Sequence, residues 1–368
     1  MLEHGRDITA AVMRSDIAIT NNLVSRLREY WYVAAYASKL RKRPLARTIL
    51  GVPLVLFRQA DGTAVALIDR CAHRNMALSR GRVWEGQVEC PYHGWRYNGQ
   101  GQCVAIPSMP DGAGSPVDVR IQSFPTAEKD GFVWVYMGSR DPAQAPRPLP
   151  HYGDSEWTTF RMKTRFAANA LACLENFLDC PHTVYVHTTW FRSRQAKEVR
   201  ARVRRHHDGV DVEFFDEREA KSVVSRLLFP SGGKLIHTDR FLMPTTSRVD
   251  YSFGSDRHFI ITSQCTPVSE SETEVYTVIT FRFGRIGALV RLFFAPLARR
   301  IIQQDVKILR AHSEQLRRFE EARFTLVKSD LVGPHIWDLW QRAGGDGNDG
   351  PASSGEAEES ESEVILRF

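Results

Sequence analysis

The chain has 368 residues, 43% of them hydrophobic and 25% charged, a composition that suits a folded protein with room for two cores and excludes the fibrous and wholly disordered classes. No apolar run reaches the ~18–20 uncharged residues of a membrane span; the best candidate, Leu292 to Ile302, is interrupted by Arg299 and Arg300. Lys and Arg exceed Asp and Glu by six, but residues 344–368 hold seven acids and one Arg, so the rest of the chain carries twelve excess positive charges, read as a solvated charged surface for the most part, with docking of an acidic partner or an anionic substrate as the alternative.

In chain order, Met1 to Asn22 mixes Glu3, Arg6, Asp7, Arg14 and Asp16 with scattered apolar residues and lacks the apolar core of a secretory signal. This predicts a cytoplasmic protein with residues 1–28 as an N-terminal extension. From Trp31 to Met137, short β segments alternate with turn signals: residues 54–57, 64–68 and 131–136 read as strands, and Asp61-Gly62 and Asn98-Gly99 sit where hairpin turns belong. A small all-β domain over residues 29–140 is expected. Pro142, Pro146, Pro148 and Pro150 mark its end, a density that neither helix nor central strand tolerates.

Beyond the prolines, residues 169–187 have helical spacing and residues 199–215 read as a hairpin around Asp208-Gly209. Strands follow at 240–250, 258–265 and 274–283. A long helix is predicted from Leu297 to Arg323, with Pro296 at its start and Ile301, Ile302, Val306, Ile308, Leu309 and Leu316 as its apolar stripe. Helix, antiparallel strands and long helix make an α+β second domain over residues 141–343. The Gly-, Ser- and Glu-rich residues 344–368 read as a disordered acidic tail.

The six cysteines are too dispersed for a disulfide scaffold in a chain this long. Cys71 and Cys90 each have a histidine neighbour, in Cys71-Ala72-His73 and Cys90-Pro91-Tyr92-His93-Gly94-Trp95. Two thiolates on one iron and two imidazoles on the other suit a [2Fe–2S] cluster, with Cys71 and Cys90 on the first iron and His73 and His93 on the second. A structural zinc site would pair cysteine with cysteine and histidine with histidine, whereas each loop here offers one of each. Further on, His182 and His187 stand five apart near the end of the first helix, after Asn176 and Asp179. Two imidazoles and one carboxylate on one face of Fe(II) leave positions open for O2 and substrate; the residues alone leave ordinary core histidines as the alternative.

The segment Cys71 to Trp95 resembles the signature of Rieske proteins, and Arg74 in Cys-x-His-Arg resembles their oxygenase and ferredoxin branch. Respiratory Rieske proteins carry a further disulfide whose positions here are Met76 and Tyr92. Joined to the later Asp-x-x-His-x4-His, the chain from Trp31 to Arg323 resembles the oxygenase (alpha) component of Rieske non-haem iron oxygenases of the single-subunit vanillate O-demethylase and aminopyrrolnitrin oxygenase-like type. The resemblance implies an N-terminal Rieske [2Fe–2S] domain and a C-terminal helix-grip (START-like) catalytic domain. It implies mononuclear Fe(II) on His182, His187 and Asp305, the last in the matching place on the long helix. It makes Asp179 the bridge from an iron histidine to a cluster histidine of a neighbouring subunit in a homotrimer, and Asn176 a hydrogen bonder near the iron. Cys180, inside the motif, reads as structural.

No dinucleotide-binding fingerprint or plant-type ferredoxin cysteine set is present, Gly99-Gln100-Gly101 lacking a third glycine at the required place. Electrons must therefore come from outside, and the resemblance implies a separate NAD(P)H-dependent reductase with flavin, with or without a ferredoxin. The expected reaction is hydroxylation or oxidative demethylation of an apolar or aromatic small molecule with O2. A ring-hydroxylating dioxygenase forming cis-diols and a Rieske electron-transfer protein without oxygenase activity stay open. The partner set contains neither nucleic acid nor membrane. Trp190, Phe191, Leu228, Phe229, Phe241 and Met243 are candidates to line an apolar pocket, and Arg192 or Arg240 to hold a substrate carboxylate, with core packing and exposed arginines as the alternatives.

Overall fold

A computed structural model of the chain describes residues 24–110, 118–187, 198–215, 235–253, 257–319, 324–343 and 360–367. Contacts divide the chain into two units, one of Arg28–Leu149 with Thr266–Ser269, the other holding Pro150–Cys265 and the chain from Glu270 onward. The first holds β1 (Trp31–Tyr36), β2 (Leu45–Ile49), β3 (Val52–Arg58), β4 (Ala64–Ile68), β5 (Arg82–Trp84), β6 (Gln87–Glu89), β7 (Arg96–Tyr97), β8 (Cys103–Ala105), β9 (Ser123–Phe124), β10 (Thr126–Lys129) and β11 (Phe132–Tyr136). They form three sheets, ordered β1-β11-β10, β2-β3-β4-β9 and β5-β6-β7-β8. Asp61-Gly62 does turn β3 into β4, with Asp61 Oδ1 accepting from Thr63 N and Gly62 at φ 87°. In the β7–β8 turn, Asn98 Oδ1 accepts from Gln100 N and Gln102 N, and the left-handed residue is Gly101.

The first unit runs nine residues past the expected boundary at 140, to Leu149. The prolines prevent a strand, yet three hydrogen bonds tie the segment down: Trp31 Nε1 donates to Gln144 O at 2.7 Å, Lys129 Nζ to Pro146 O at 2.7 Å and Leu149 N to Asp130 Oδ2 at 2.7 Å. The core that matters for the site comprises Val55, Phe57, Leu67, Leu78, Val88 and Tyr97 around Cys71 and Cys90. Each such apolar side chain contributes about 1.5–3 kcal/mol when taken out of water.

The second unit is built on an eight-stranded sheet, β12 (Thr158–Phe166), β13 (Glu198–His206), β14 (Gly209–Phe215), β15 (Leu235–Leu242), β16 (Thr246–Phe253), β17 (Arg257–Ser269), β18 (Glu272–Arg282) and β19 (Ser360–Arg367), in the order β12-β18-β17-β16-β15-β14-β13-β19. Helix α1 (Ala170–Leu178), capped by Asn169 Oδ1 on Ala172 N, packs on β15, β16 and β18. Helix α2 (His182–Val186) follows after a break at Asp179, Cys180 and Pro181, where proline withholds the N–H that one continuous helix would need. The single helix expected over 169–187 is thus two. Helix α3 (Gly287–Leu316) starts ten residues before the predicted Leu297 and contains Pro296. Pro296 and Leu292 lie on its exposed side, so the Leu292 carbonyl, which loses its donor, can be met by water. Helix α4 (Gly333–Arg342) completes the unit.

Residues 360–367 correct the expectation of a disordered tail from 344 onward: they form β19, paired antiparallel with β13 from Glu198↔Arg367 to Arg205↔Ser360. Two things hold this polar strand. Leu366 is buried, and Glu361 and Glu363 pair with Arg202 and Arg204 at 2.8–3.1 Å. Among the described residues, no helix is long and apolar enough to cross a membrane.

Candidate metal centres

Two turns of similar design carry the Cys-x-His and Cys-x-x-His residues. In the first, Cys71 N donates to Met76 O and Asn75 N to Cys71 O; in the second, Cys90 N donates to Trp95 O and Gly94 N to Cys90 O. The fourth residue after each cysteine, Asn75 (φ 59°) and Gly94 (φ 72°), is left-handed, which lets the chain reverse and return to the cysteine. At Gly94 a Cβ would also stand 3.0 Å from Pro107 Cγ.

Both thiols are buried and both imidazoles exposed. The His73 and His93 rings lie 4.5 Å apart, with His73 stacked on Trp95 at 4.7 Å and Tyr92 against His93 at 3.9 Å. Burial pushes the Cys90 thiol up, opposed by backbone N–H groups of Tyr92 and His93 and reinforced by Cys71 beside it. Those N–H groups are suited to an anionic sulfur. His73 is lowered by slight desolvation, then by His93 and Arg74, which favours the neutral, ligating imidazole. Tyr97 was not anticipated from sequence: its hydroxyl accepts from Ala72 N at 3.1 Å and lies 3.3 Å from Cys71 Sγ. Towards a cluster-bound thiolate, which carries no proton, the phenolic O–H would be the donor. None of the six cysteines is in a disulfide and all are buried, Cys180 among them.

The second centre is assembled by α1, α2 and α3. His182, His187 and Asp305 each offer a ligand atom within 4.8 Å of the others. Nδ1–H of His187 donates to Gln304 Oε1 at 2.8 Å, and Nδ1–H of His182 donates to the Asp179 carbonyl. Both Nε2 lone pairs are thereby directed to the same side: Asp305 Oδ1 lies 3.1 Å from His187 Nε2 and 3.8 Å from His182 Nε2. Asp305 is 5% exposed, and its Oδ1 has no hydrogen-bond partner. A buried carboxylate oxygen left so is costly, and a divalent cation between the three side chains would satisfy it. Burial pulls the His187 imidazole down, but Asp305 and Gln304 outweigh it and raise its affinity for a proton. The donor set, two neutral imidazoles and a carboxylate with their outer nitrogens hydrogen-bonded, fits Fe(II).

Sequence reasoning did not find Gln304; it is one of several polar residues on a helix, and its partner lies 117 positions away. Asp179 also meets His182 through its backbone. Its carbonyl holds His182, while its carboxylate stands 3.9 Å from the ring with 45% of the side chain exposed. Surrounding chain and Asp330 push that carboxyl up to about 6, a shift that its solvent exposure moderates. Asn176 has a buried Nδ2 with no hydrogen-bond partner. Of the pocket candidates, Phe241 and Met243 are buried. Arg240 is half-buried and committed to Asp211 and Asp250 at 3.3 and 3.4 Å. Trp190, Phe191, Arg192, Leu228 and Phe229 lie outside the described residues.

Comparison with known proteins finds the Rieske [2Fe-2S] domain over residues 30–125 and the vanillate O-demethylase oxygenase C-terminal domain over residues 166–337. Aminopyrrolnitrin oxygenase PrnD of Pseudomonas fluorescens is 30% identical over 319 residues, covering 77% of this chain and 84% of that protein. The oxygenase component of dicamba O-demethylase from Stenotrophomonas maltophilia is 40% identical over 166 residues, 44% of this chain and 48% of that protein; the chain spans about half the length of that relative. Among solved structures, dicamba monooxygenase bound to dicamba superposes with a TM-score of 0.73 at 26% identity, over 86% of this chain and 98% of that one.

Proposed function

The chain belongs to the Rieske non-haem iron oxygenases, and from that premise we propose that it is the oxygenase component of a Rieske monooxygenase that hydroxylates or oxidatively demethylates an aromatic small molecule. The family's cofactors are a Rieske [2Fe–2S] cluster and a mononuclear iron. Cys71, Cys90, His73 and His93 would hold the first, and His182, His187 and Asp305 the second. The observation that carries the reading is the convergence of two Nε2 lone pairs on the buried, unbonded Oδ1 of Asp305. When bound, the cluster supplies electrons and the mononuclear iron activates O2. The protein's part is positional. Gln304 and the Asp179 carbonyl fix the two imidazole tautomers, while burial of Asp305 and His187 keeps competing water from those donors. The PrnD and dicamba relatives act on compounds of the proposed substrate class by their names, which supports it here.

A separate reductase drawing on NAD(P)H, with or without a ferredoxin, is proposed as electron source, and a homotrimer as the working assembly. In that assembly the Asp179 carboxylate would bridge to a cluster histidine of a neighbouring chain, a reading supported by its exposure beside the residue that holds His182. Asp179→Asn should keep both metals yet slow electron passage between them, read as the rate of cluster reoxidation in single turnover; an unchanged rate would remove the bridge. Gln304→Ala should weaken Fe(II) binding about 10–100-fold, the usual cost of removing an outer hydrogen-bond partner of a ligand, measured by titrating iron-depleted protein with Fe(II). Tyr97→Phe removes one hydrogen bond to sulfur, worth about 1 kcal/mol. The reduced cluster then loses that stabilisation, and its potential should fall by roughly 40 mV on the one-electron scale, measured by redox titration.

The direct test is iron and sulfide content of anaerobically purified protein, with EPR after dithionite. Three irons and two sulfides per chain are expected, with a low average g from imidazole ligation, and substrate-dependent O2 uptake with a surrogate reductase on a panel of methoxylated and aminated aromatics. Two irons that do not rise to three on adding Fe(II) would reduce the protein to an electron carrier.

A further inference from the structure

Helix α3 presents an apolar end to solvent. Leu289, Leu292 and Phe293, with Ile286 just before the helix, are exposed by 53–67%, while Gly287, Phe294, Ala298 and Ile301 on the other side are buried. Spacings of three and four place Ile286, Leu289 and Phe293 along one stripe with Leu292 beside it. Single exposed apolar side chains are ordinary, but four large ones within eight residues on one helical face are not. Towards the C-terminus the exposed residues become cationic, with Arg299 and Lys307, and Arg291 flanks the apolar end.

We propose that this end of α3 is an interfacial docking surface for an anionic lipid bilayer, the apolar side chains entering the headgroup boundary and the cations meeting lipid charge. An apolar face bordered by Lys and Arg is what such a surface requires. A second copy of the chain fits less well. In the head-to-tail contacts of the proposed homotrimer this face would meet a different surface of the neighbour, and apart from residues 344–368 each copy carries twelve excess positive charges, so another copy offers little compensation. The lack of a spanning segment concerns crossing a membrane, not lying on one. Phe293 and Asp305 share this helix twelve residues apart, about 18 Å along its axis, so lipid contact and the candidate iron site ride on one element.

Flotation of the full chain with phosphatidylcholine vesicles, with and without phosphatidylglycerol, tests this. The chain should float with the phosphatidylglycerol vesicles and be released by salt. The Leu292→Glu/Phe293→Glu variant should bind at least about tenfold less, with its dithionite-reduced visible spectrum unchanged as a check on folding. Arg299→Glu/Lys307→Glu should weaken binding and flatten its salt dependence. Failure to float with anionic vesicles, or equal flotation of the Leu292→Glu/Phe293→Glu variant, overturns the proposal. So does a smaller assembly for that variant in lipid-free sedimentation, which would mark the face as a contact between copies.

Discussion

His187→Ala is expected to take iron from three per chain to two, leave the visible spectrum of the cluster intact and reduce turnover by well over the hundredfold that marks the upper range for outer-partner losses. His187 is 3% exposed and has one nitrogen engaged by Gln304 and the other facing Asp305. Alanine leaves two ligands, and it leaves the Gln304 amide and the Asp305 carboxylate buried without their partner. A buried charge so abandoned costs about 3–5 kcal/mol, so a drop in thermal stability of the second unit should accompany the loss. Iron analysis separates the two consequences. A merely structural histidine would lower stability while the third iron stayed, and that result would take His187 out of the ligand set. His182→Ala, at a more exposed position bonded to a backbone carbonyl, should lose the iron and turnover equally with a smaller stability cost.

The two centres were legible in the sequence to different depths because their ligands differ in locality. Cys71 and His73, and Cys90 and His93, lie within single turns, so spacing reports geometry directly. His182 and His187 are nearly as local, one helical turn and a cap apart. Asp305 is reached only through packing of α3, and residue spacing carries no trace of that; the family resemblance pointed to it. Gln304 and Tyr97 left no signal, since a glutamine on a helix and a tyrosine in a two-residue strand become partners of His187 and Cys71 only after distant elements pack. Asp179 shows a subtler limit: its position was legible, but the atom that holds His182 is its carbonyl, and side-chain reasoning does not see backbone acceptors. The strand at 360–367 escaped for the same reason as Asp305. Its composition is that of a solvated tail, and what orders it is the alternating Arg202 and Arg204 on β13, more than 150 positions earlier.

Cys90→Ser should abolish the visible cluster, remove two irons and both sulfides, and stop turnover altogether, a wider loss than any change at the second centre. Cys90 is 2% exposed within the core of Val55, Phe57, Leu67, Val88 and Tyr97, and its sulfur is met by N–H groups of Tyr92 and His93. Without a cluster, the two turns are left with their own backbone bonds and the short pairing of β6 with β7. Binding energy of the inorganic group is folding energy for such loops, so the first unit should unfold at lower temperature while the second keeps its iron. Cys180→Ser supplies the contrast: that thiol is also buried but belongs to neither ligand set, and its replacement should spare both metals. If Cys90→Ser retained the parent's cluster spectrum, Cys90 would be an ordinary core residue and the assignment of the first iron would have to move to another pair of sulfurs.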